Sequence, residues 1–207
     1  KRIDKQVFYD HLIAFGVGQP SGIDLADESV GIPLRTIDKW DESDIAAFSY
    51  GHGYGLNAVQ SIDNYATLAN FGVKMKPYIV TKIDSNDGEV KEYKPTPLGR
   101  VIKPETAAVM DSLMRYNFSV SISLNESWFY HLKNYDLGVK TGTALIADQN
   151  GYDSGEVNST MIGYDLSPQR TFAMLIWLQK PQGSPTERLS FYNVRPLWLE
   201  VFDRIKE

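Results

Sequence analysis

Three runs of alternating apolar and polar residues, 137–146, 158–166 and 171–179, lie close together in the second half of this chain, and they constrain its fold more than any other feature. Successive side chains on a strand point to opposite faces, so each run presents one apolar face for burial. Asp/Asn/Gly-rich and Ser-Pro segments join them, which are turn signals rather than helical crossovers. A last periodic segment runs from about Tyr192 to Lys206. Val194, Leu197, Trp198, Val201, Phe202 and Ile205 recur on one side of it at helical spacing. A sheet with one apolar face and a helix with one apolar stripe bury each other. The expected class is therefore α+β, an antiparallel sheet packed with helices.

The first half reads as helices and loops. Asp4 can cap a helix carrying Val7, Phe8, Leu12 and Phe15, with Gly16 as its stop. Residues 16–25 form a turn-rich loop, followed by irregular chain to about 45; Ala46-Ala47-Phe48 then leads into Ser49-Tyr50-Gly51-His52-Gly53-Tyr54-Gly55. Asn57 caps a second helix with Val59, Ile62, Tyr65, Ala66 and Ala69 on one face and Gly72 near its end. Tyr78–Asp84 and Val90–Tyr93 flank Asn86-Asp87-Gly88, a hairpin signal. Pro104 begins another helix through Ala108, Met110, Leu113 and Met114, while residues 118–136 show no clear period. The expected organisation is a helical and loop part over about 1–77, a hairpin at 78–95, and the strands and terminal helix over 137–207.

Composition removes several classes of function. The chain has 207 residues, 43% hydrophobic and 23% charged, which suits a globular protein. Its net charge is −5 and no basic run occurs, so nucleic acid is not an expected partner. There is no cysteine, hence no disulfide framework, thiolate metal site or cysteine nucleophile. His11 and His131 lack a second ligand at metal spacing, His52 reads as a solvated loop histidine or a substrate contact, and Val139 before Lys140 rules out a phosphate loop. No metal or cofactor is expected. The longest apolar run, Phe172–Leu178, is far short of the ~20 residues of a membrane helix. The chain opens abruptly on a helical pattern without Met, as expected of a piece of a longer protein.

The chemistry-bearing residues are Lys140-Thr141-Gly142-Thr143 on the first of the three strands. A cation, two hydroxyls and a glycine on a strand edge can grip a carboxylate and leave backbone N–H groups available. A bland reading stands beside it: such a strand end can be solvated surface with a bulge. Gly51, Gly53 and Gly55 carry the same ambiguity, as turn geometry or as a loop (Ser49, Tyr50, Gly51) that lines a pocket.

These segments together resemble the transpeptidase domain of class B high-molecular-weight penicillin-binding proteins. The K-T-G string is similar to the third signature element of serine acyl-transferases that recognise penicillin, beside S-x-x-K and S-x-N. Phe48 to Val80 resembles that family's glycine-rich loop, a helix reading Q-x-x-x-x-Y-A-x-x-A-N, and G-x-x-x-x-P; Gln60, Tyr65, Ala66, Ala69, Asn70, Gly72 and Pro77 fill those places. Residues 15–25, FGVGQPSGIDL, are similar to its F-G-F-G-x-x-T-G-I-D-L, and Met161-Ile162-Gly163-Tyr164 to its S-F-x-G-Y/F strand. The likeness runs through nearly the whole chain in consistent order.

The departures are specific. No Ser stands three places before a Lys in these 207 residues. Ser123-Leu124-Asn125 spells S-x-N but follows the glycine loop, where the family's element precedes the F-G-V-G-like segment. Val139 stands where the family has Gly before K-T-G, and residues 118–134 replace its G-T-G stretch. The resemblance thus implies the C-terminal portion of an incomplete domain.

It also implies a reaction. A serine outside this chain attacks a D-Ala-D-Ala peptide, D-Ala leaves, and an acceptor amine on a neighbouring stem peptide takes the acyl group. Lys140 and Thr143 would be the catalytic residues present. Lys140 supplies charge near the substrate carboxylate, the hydroxyl of Thr141 or Thr143 donates to it, and the Thr143 N–H completes an oxyanion hole. Gly142 lets the substrate lie along the strand, with Ser49, Tyr50 and Gly51 as further substrate contacts. Implied partners are peptidoglycan stem peptides, β-lactams and glycan-polymerising cell-wall proteins; the implied place is the extracytoplasmic face of the bacterial membrane, through an upstream anchor. A serine β-lactamase, and a degenerate scaffold or β-lactam sensor, remain as alternatives.

Overall fold

The computed structural model describes residues 3–123, 129–146 and 155–206. It forms two compact units, Lys1–Lys103 and Pro104–Glu207.

The first unit begins with α1, Lys5–Ala14, capped as expected by Asp4, whose carboxylate accepts from the Gln6 and Val7 N–H groups. A helix α2, Glu42–Ser49, occupies chain expected to be irregular up to about residue 45. A reciprocal cap starts it: the Asp41 side chain accepts from Asp44 N, and the Asp44 side chain accepts from Asp41 N. Trp40 and Phe48 pack at 4.5 Å between ring centroids and anchor α2 in the core of this unit. Next comes α3, Ala58–Ala69, with the expected Asn57 cap completed by the Gln60 side chain. Its Gly72 turn leads into β1, Val73–Met75, which pairs antiparallel with β4, Pro97–Arg100. Between them lies the expected hairpin, with strands β2, Lys82–Asp84, and β3, Val90–Glu92, shorter than the sequence pattern. Both strands are exposed throughout, so nothing buries their outer residues and the ladder stops early.

The Gln60 of the family-like helix has a structural explanation here. Gln60 is 2% exposed, and its amide donates to the Gln19 and Val30 carbonyls at 2.7 and 3.2 Å, sewing the 16–31 loop to α3. Asp63 and Lys74 form a buried ion pair at 2.9 Å, with the Lys74 ammonium also donating to the Phe15 carbonyl. These groups line a concavity of about 260 Å³ with Gly16 and Gln19, and its polar atoms are largely engaged with one another.

The second unit opens with α4, Pro104–Ser123, which carries helix well into the stretch that showed no period. Leu124 and Asn125 of the S-x-N string lie outside the described residues; Ser123 ends the helix with its hydroxyl on the Val120 carbonyl. After a 3-10 turn at Tyr130–Asn134 come β5, Leu137–Leu145, β6, Val157–Asp165, and β7, Ala173–Gln179. They form one antiparallel sheet in the order β5-β6-β7. The terminal helix α5, Val194–Lys206, covers one face. Leu137, Val139, Met161, Val194, Trp198, Leu199 and Phe202 form its core, with Met174, Ile176 and Leu178 against them. Gly163 makes this possible: a Cβ there would lie 2.6 Å from the Trp198 ring. On the other face a Cβ at Gly138 would meet Met114 of α4 at 2.8 Å, and the Tyr164 hydroxyl donates to buried Asp111 at 2.9 Å. Mixed helices and antiparallel sheets are the class the alternation predicted. No helix among the described residues is long and apolar enough to cross a membrane.

Two glycines with similar dihedrals separate strain from crowding. Gly72 has φ +83° and its missing Cβ would lie 2.2 Å from the Ile102 carbonyl oxygen, whereas Gly51 has φ +89° with nothing within 4 Å. Gly51→Ala is expected to cost about 1–2 kcal/mol, the left-handed penalty alone. Gly72→Ala adds a backbone clash and should cost clearly more. Urea unfolding of the two variants checks the order, and equal losses would contradict it.

Candidate active site on the first strand of the sheet

The sheet register divides Lys140-Thr141-Gly142-Thr143 between two faces. Val139, Thr141 and Thr143 lie opposite Gly163, Met161 and Ser159, on the face that α5 covers. Lys140 and Gly142 lie opposite Ile162 and Thr160, on the other. Burial ends abruptly along β5: residues 137–139 are buried, and from Lys140 onward the strand is open to solvent, Thr141 only partly. Within the sheet β5 is an edge strand, so alternate backbone groups from Lys140 on face away from β6. Sequence thus places a cation and two hydroxyls where a hydrophobic strand emerges from the core.

Lys140 is exposed, and its ammonium donates to the Thr141 carbonyl at 2.5 Å. The Thr143 hydroxyl meets Ser190, a residue only 1% exposed in the segment before α5. Ser190 N–H donates to Thr143 Oγ1 at 3.1 Å, and the two hydroxyl oxygens are 2.8 Å apart. Ser190 Oγ also donates to the Gly142 carbonyl. A hydroxyl has one proton; with Ser190's on Gly142, the Thr143 proton points at Ser190 Oγ. From the other face, Thr160 Oγ1 donates to the same Gly142 carbonyl at 3.2 Å. Gly142 has a local reason to lack a side chain, since a Cβ would stand 2.7 Å from Thr160 Oγ1. The segment before α5 is itself held to β6: Ser159 donates to the Arg188 carbonyl at 2.6 Å, and Asn193 spans Ser159 and the Glu187 carbonyl.

Ser190 and Thr160 escaped the sequence reading. Ser190 is 47 residues from Thr143 and belongs to no periodic segment, so no local pattern signals it. Thr160 was legible as a strand residue, but its partner depends on register.

The glycine-rich loop belongs to the first unit. Ser49 closes α2 with its hydroxyl on the Ala46 carbonyl at 2.7 Å, Tyr50 is 69% exposed, and Gly51 turns the chain at positive φ. Tyr50 and His52 pack ring to ring at 5.0 Å. Gly53 also has positive φ, and a Cβ there would collide with the Phe48 ring at 2.4 Å. Turn geometry therefore accounts for these two glycines.

At the far end of the β5–β6 pair, opposite Leu137, Asp165 is 6% exposed. Burial alone would raise its pKa. N–H and O–H donors from Thr171 and Ser167, at 2.8–2.9 Å, outweigh that and hold it down to about 2, against the usual 3.8. Arg170 of the same turn reaches Asp111 at 2.7 Å, joining the turn to α4.

With this geometry in place, the comparisons are specific. The penicillin-binding protein transpeptidase domain model matches residues 1–194, and the chain belongs to that family. It is 32% identical over 147 residues to penicillin-binding protein PbpB of Mycolicibacterium smegmatis, across 70% of this chain and 22% of that protein. It is 26% identical over 169 residues to peptidoglycan D,D-transpeptidase FtsI of Escherichia coli, across 82% of this chain and 26% of that one. Penicillin-binding protein 3 of Mycobacterium tuberculosis, solved in complex with ampicillin, shares the fold with a TM-score of 0.70 at 23% identity, over 96% of this chain and 46% of that one. The chain thus spans about a quarter of the length of these curated relatives.

The Asp165 cage makes an acid-stability prediction. A carboxyl whose folded pKa is depressed stabilises the fold above its unfolded pKa and loses that contribution as pH falls through the folded value. Asp165→Asn should therefore cost about 2 kcal/mol at pH 7, a cost that shrinks between pH 4 and pH 2. Thermal unfolding of both proteins across that range tests it; a pH-independent difference counts against the cage.

Proposed function

We propose that this chain supplies the K-T-G-bearing edge of a peptidoglycan D,D-transpeptidase that is acylated by β-lactams. The observation that carries the reading is the Lys140–Thr143 segment on an open edge strand, in a chain of the penicillin-binding transpeptidase family. In this role a serine from outside the 207 residues attacks the penultimate D-Ala carbonyl, the terminal D-Ala leaves, and a stem-peptide amine resolves the acyl-enzyme.

Lys140 approaches from one face and sets positive charge beside the substrate carboxylate and the S-x-N hydroxyl. Thr141 and Thr143 approach from the other and donate to that carboxylate. A carboxylate bound here competes with Ser190 Oγ for the Thr143 proton, and a charged acceptor makes the stronger bond. The Thr143 N–H donates to the oxyanion formed as the carbonyl becomes tetrahedral. Ser49, Tyr50 and Gly51 are proposed as substrate contacts from the glycine-rich loop, on the strength of their place in the family-like sequence. The proposed setting is the extracytoplasmic face of the cell membrane, with an upstream anchor and glycan-polymerising partners. This chain holds no Ser–x–x–Lys, so by itself it should form no penicillin adduct.

A fluorescent penicillin with peptide mapping tests the reading in the full-length parent protein. The parent should label at a serine outside these residues, and this chain should not label. Lys140→Ala in the parent should slow acylation at least about tenfold, the loss of one charge-assisted contact. An unlabelled parent points to a degenerate scaffold, and a Lys140→Ala parent acylated at the normal rate removes Lys140 from the site.

A further inference from the structure

We infer that Ser190, with Thr160, is a positioning residue that aims the Thr143 N–H at the oxyanion; the inference rests on the transpeptidase reading of the K-T-G edge. The peptide unit joining Gly142 to Thr143 is planar, and in its trans form the carbonyl and the N–H point in opposite directions. No cis peptide bond occurs among the described residues. Fixing the Gly142 carbonyl therefore fixes the Thr143 N–H. Thr160, on β6, donates to that carbonyl at 3.2 Å, which places the oxygen on the β6 side and turns the Thr143 N–H toward the free edge of the sheet.

A glycine flanks this peptide and gives it more backbone freedom than its neighbours, beyond what its pairing with β6 restrains. Two hydroxyls grip its oxygen, Thr160 from the Lys140 face and Ser190 from the α5 face. Ser190 holds the next residue as well, through its N–H to Thr143 Oγ1 and the contact between the hydroxyls. It is buried and reinforced from behind by the backbone bond from Arg195 N to its carbonyl at 3.0 Å. The Ser190 hydroxyl and N–H bond to Thr143 and Gly142 and not to Lys140, so Ser190 acts through the orientation of one peptide plane. An oxyanion donor works by being aimed before the charge develops. A small rotation of this plane costs rate in the chemical step and leaves the initial docking of the β-lactam largely intact.

The test measures acylation of the full-length parent by a chromogenic cephalosporin under single-turnover conditions, separating the acylation rate constant from the pre-acylation dissociation constant. Ser190→Ala should lower the rate constant about tenfold or more and change the dissociation constant less than about twofold. Ser190→Thr, which keeps the hydroxyl, should recover part of the rate. Thr160→Val, nearly isosteric and on the open face, should lower the same constant by a smaller factor. If Ser190→Ala does not fold, Thr160→Val decides: a slowed chemical step supports the clamp, and an unchanged one overturns it. Normal acylation by Ser190→Ala, or an effect confined to binding, also overturns it. Lys140→Ala serves as the control for the underlying reading. A slow Lys140→Ala enzyme beside a normal Ser190→Ala enzyme sinks the clamp alone, whereas normal rates in both sink the reading of the site.

Discussion

The packing of Trp198 against a sheet that omits a side chain beneath it organises the second unit. Trp198 is fully buried, its ring comes within 2.6 Å of where a Cβ on Gly163 would stand, and its indole N–H donates to the Met174 carbonyl at 3.0 Å. Val139, one residue before Lys140, is paired with Gly163 and belongs to the same core. Burying a side chain of this size contributes several kcal/mol by area alone, and it fixes which face of the strand turns toward α5. Once Val139 faces inward, strand alternation sends Lys140 to one side and both threonines to the other. The placement of the K-T-G side chains is a consequence of core packing one residue away.

The first unit follows a different logic, in which polar groups close the loops. Gln60 completes a helix cap with its oxygen and ties a distant loop with its nitrogen. Asp24 accepts from the N–H groups of Ile79 and Val80, and Glu28 from those of Ser21 and Gly22. Gln60 and Asp24, both within the family-like segments, hold backbone of this unit in place beside its apolar core. A buried amide with three of its groups satisfied is costly to replace by an apolar residue, which leaves its partners unpaired.

What the sequence made legible follows from which interactions are local. The caps at Asp4 and Asn57, the Pro104 helix start, the Asn86-Asp87-Gly88 hairpin and the three alternating runs all rest on neighbours within a few residues; each is found where expected, the hairpin with a shorter first strand. Helix α2 was missed because its box, Asp41 with Asp44, has Asp where the common one has Ser or Thr at the cap and Glu or Gln three residues on, and because eight residues are too few to show a clear period. The β1–β4 pair was missed because strands of three and four residues, one starting with proline, carry no period. Helix α4 continues through Ser119, Ser121 and Ile122, whose propensities are poor, because Phe118 and Ile122 enter the α5 core. The strand bearing Lys140 was legible, and so were its residue types. The hydroxyls that hold it were not, because register and a contact across 47 residues decide them.

The Asp165 turn has a consequence for the side on which each residue of β5 emerges. The β5–β6 pair is pinned at one end, where the Asp165 carboxylate gathers the Ser167–Thr171 turn and Leu166 N–H reaches the Asp136 carbonyl at 2.8 Å. Its other end joins the chain segment 147–154. A slip of one residue would exchange Lys140 with its threonine neighbours across the sheet. The cage therefore decides more than the stability of its own turn: a carboxylate beside Leu137 keeps the cation and the hydroxyls on their sides further along the strand.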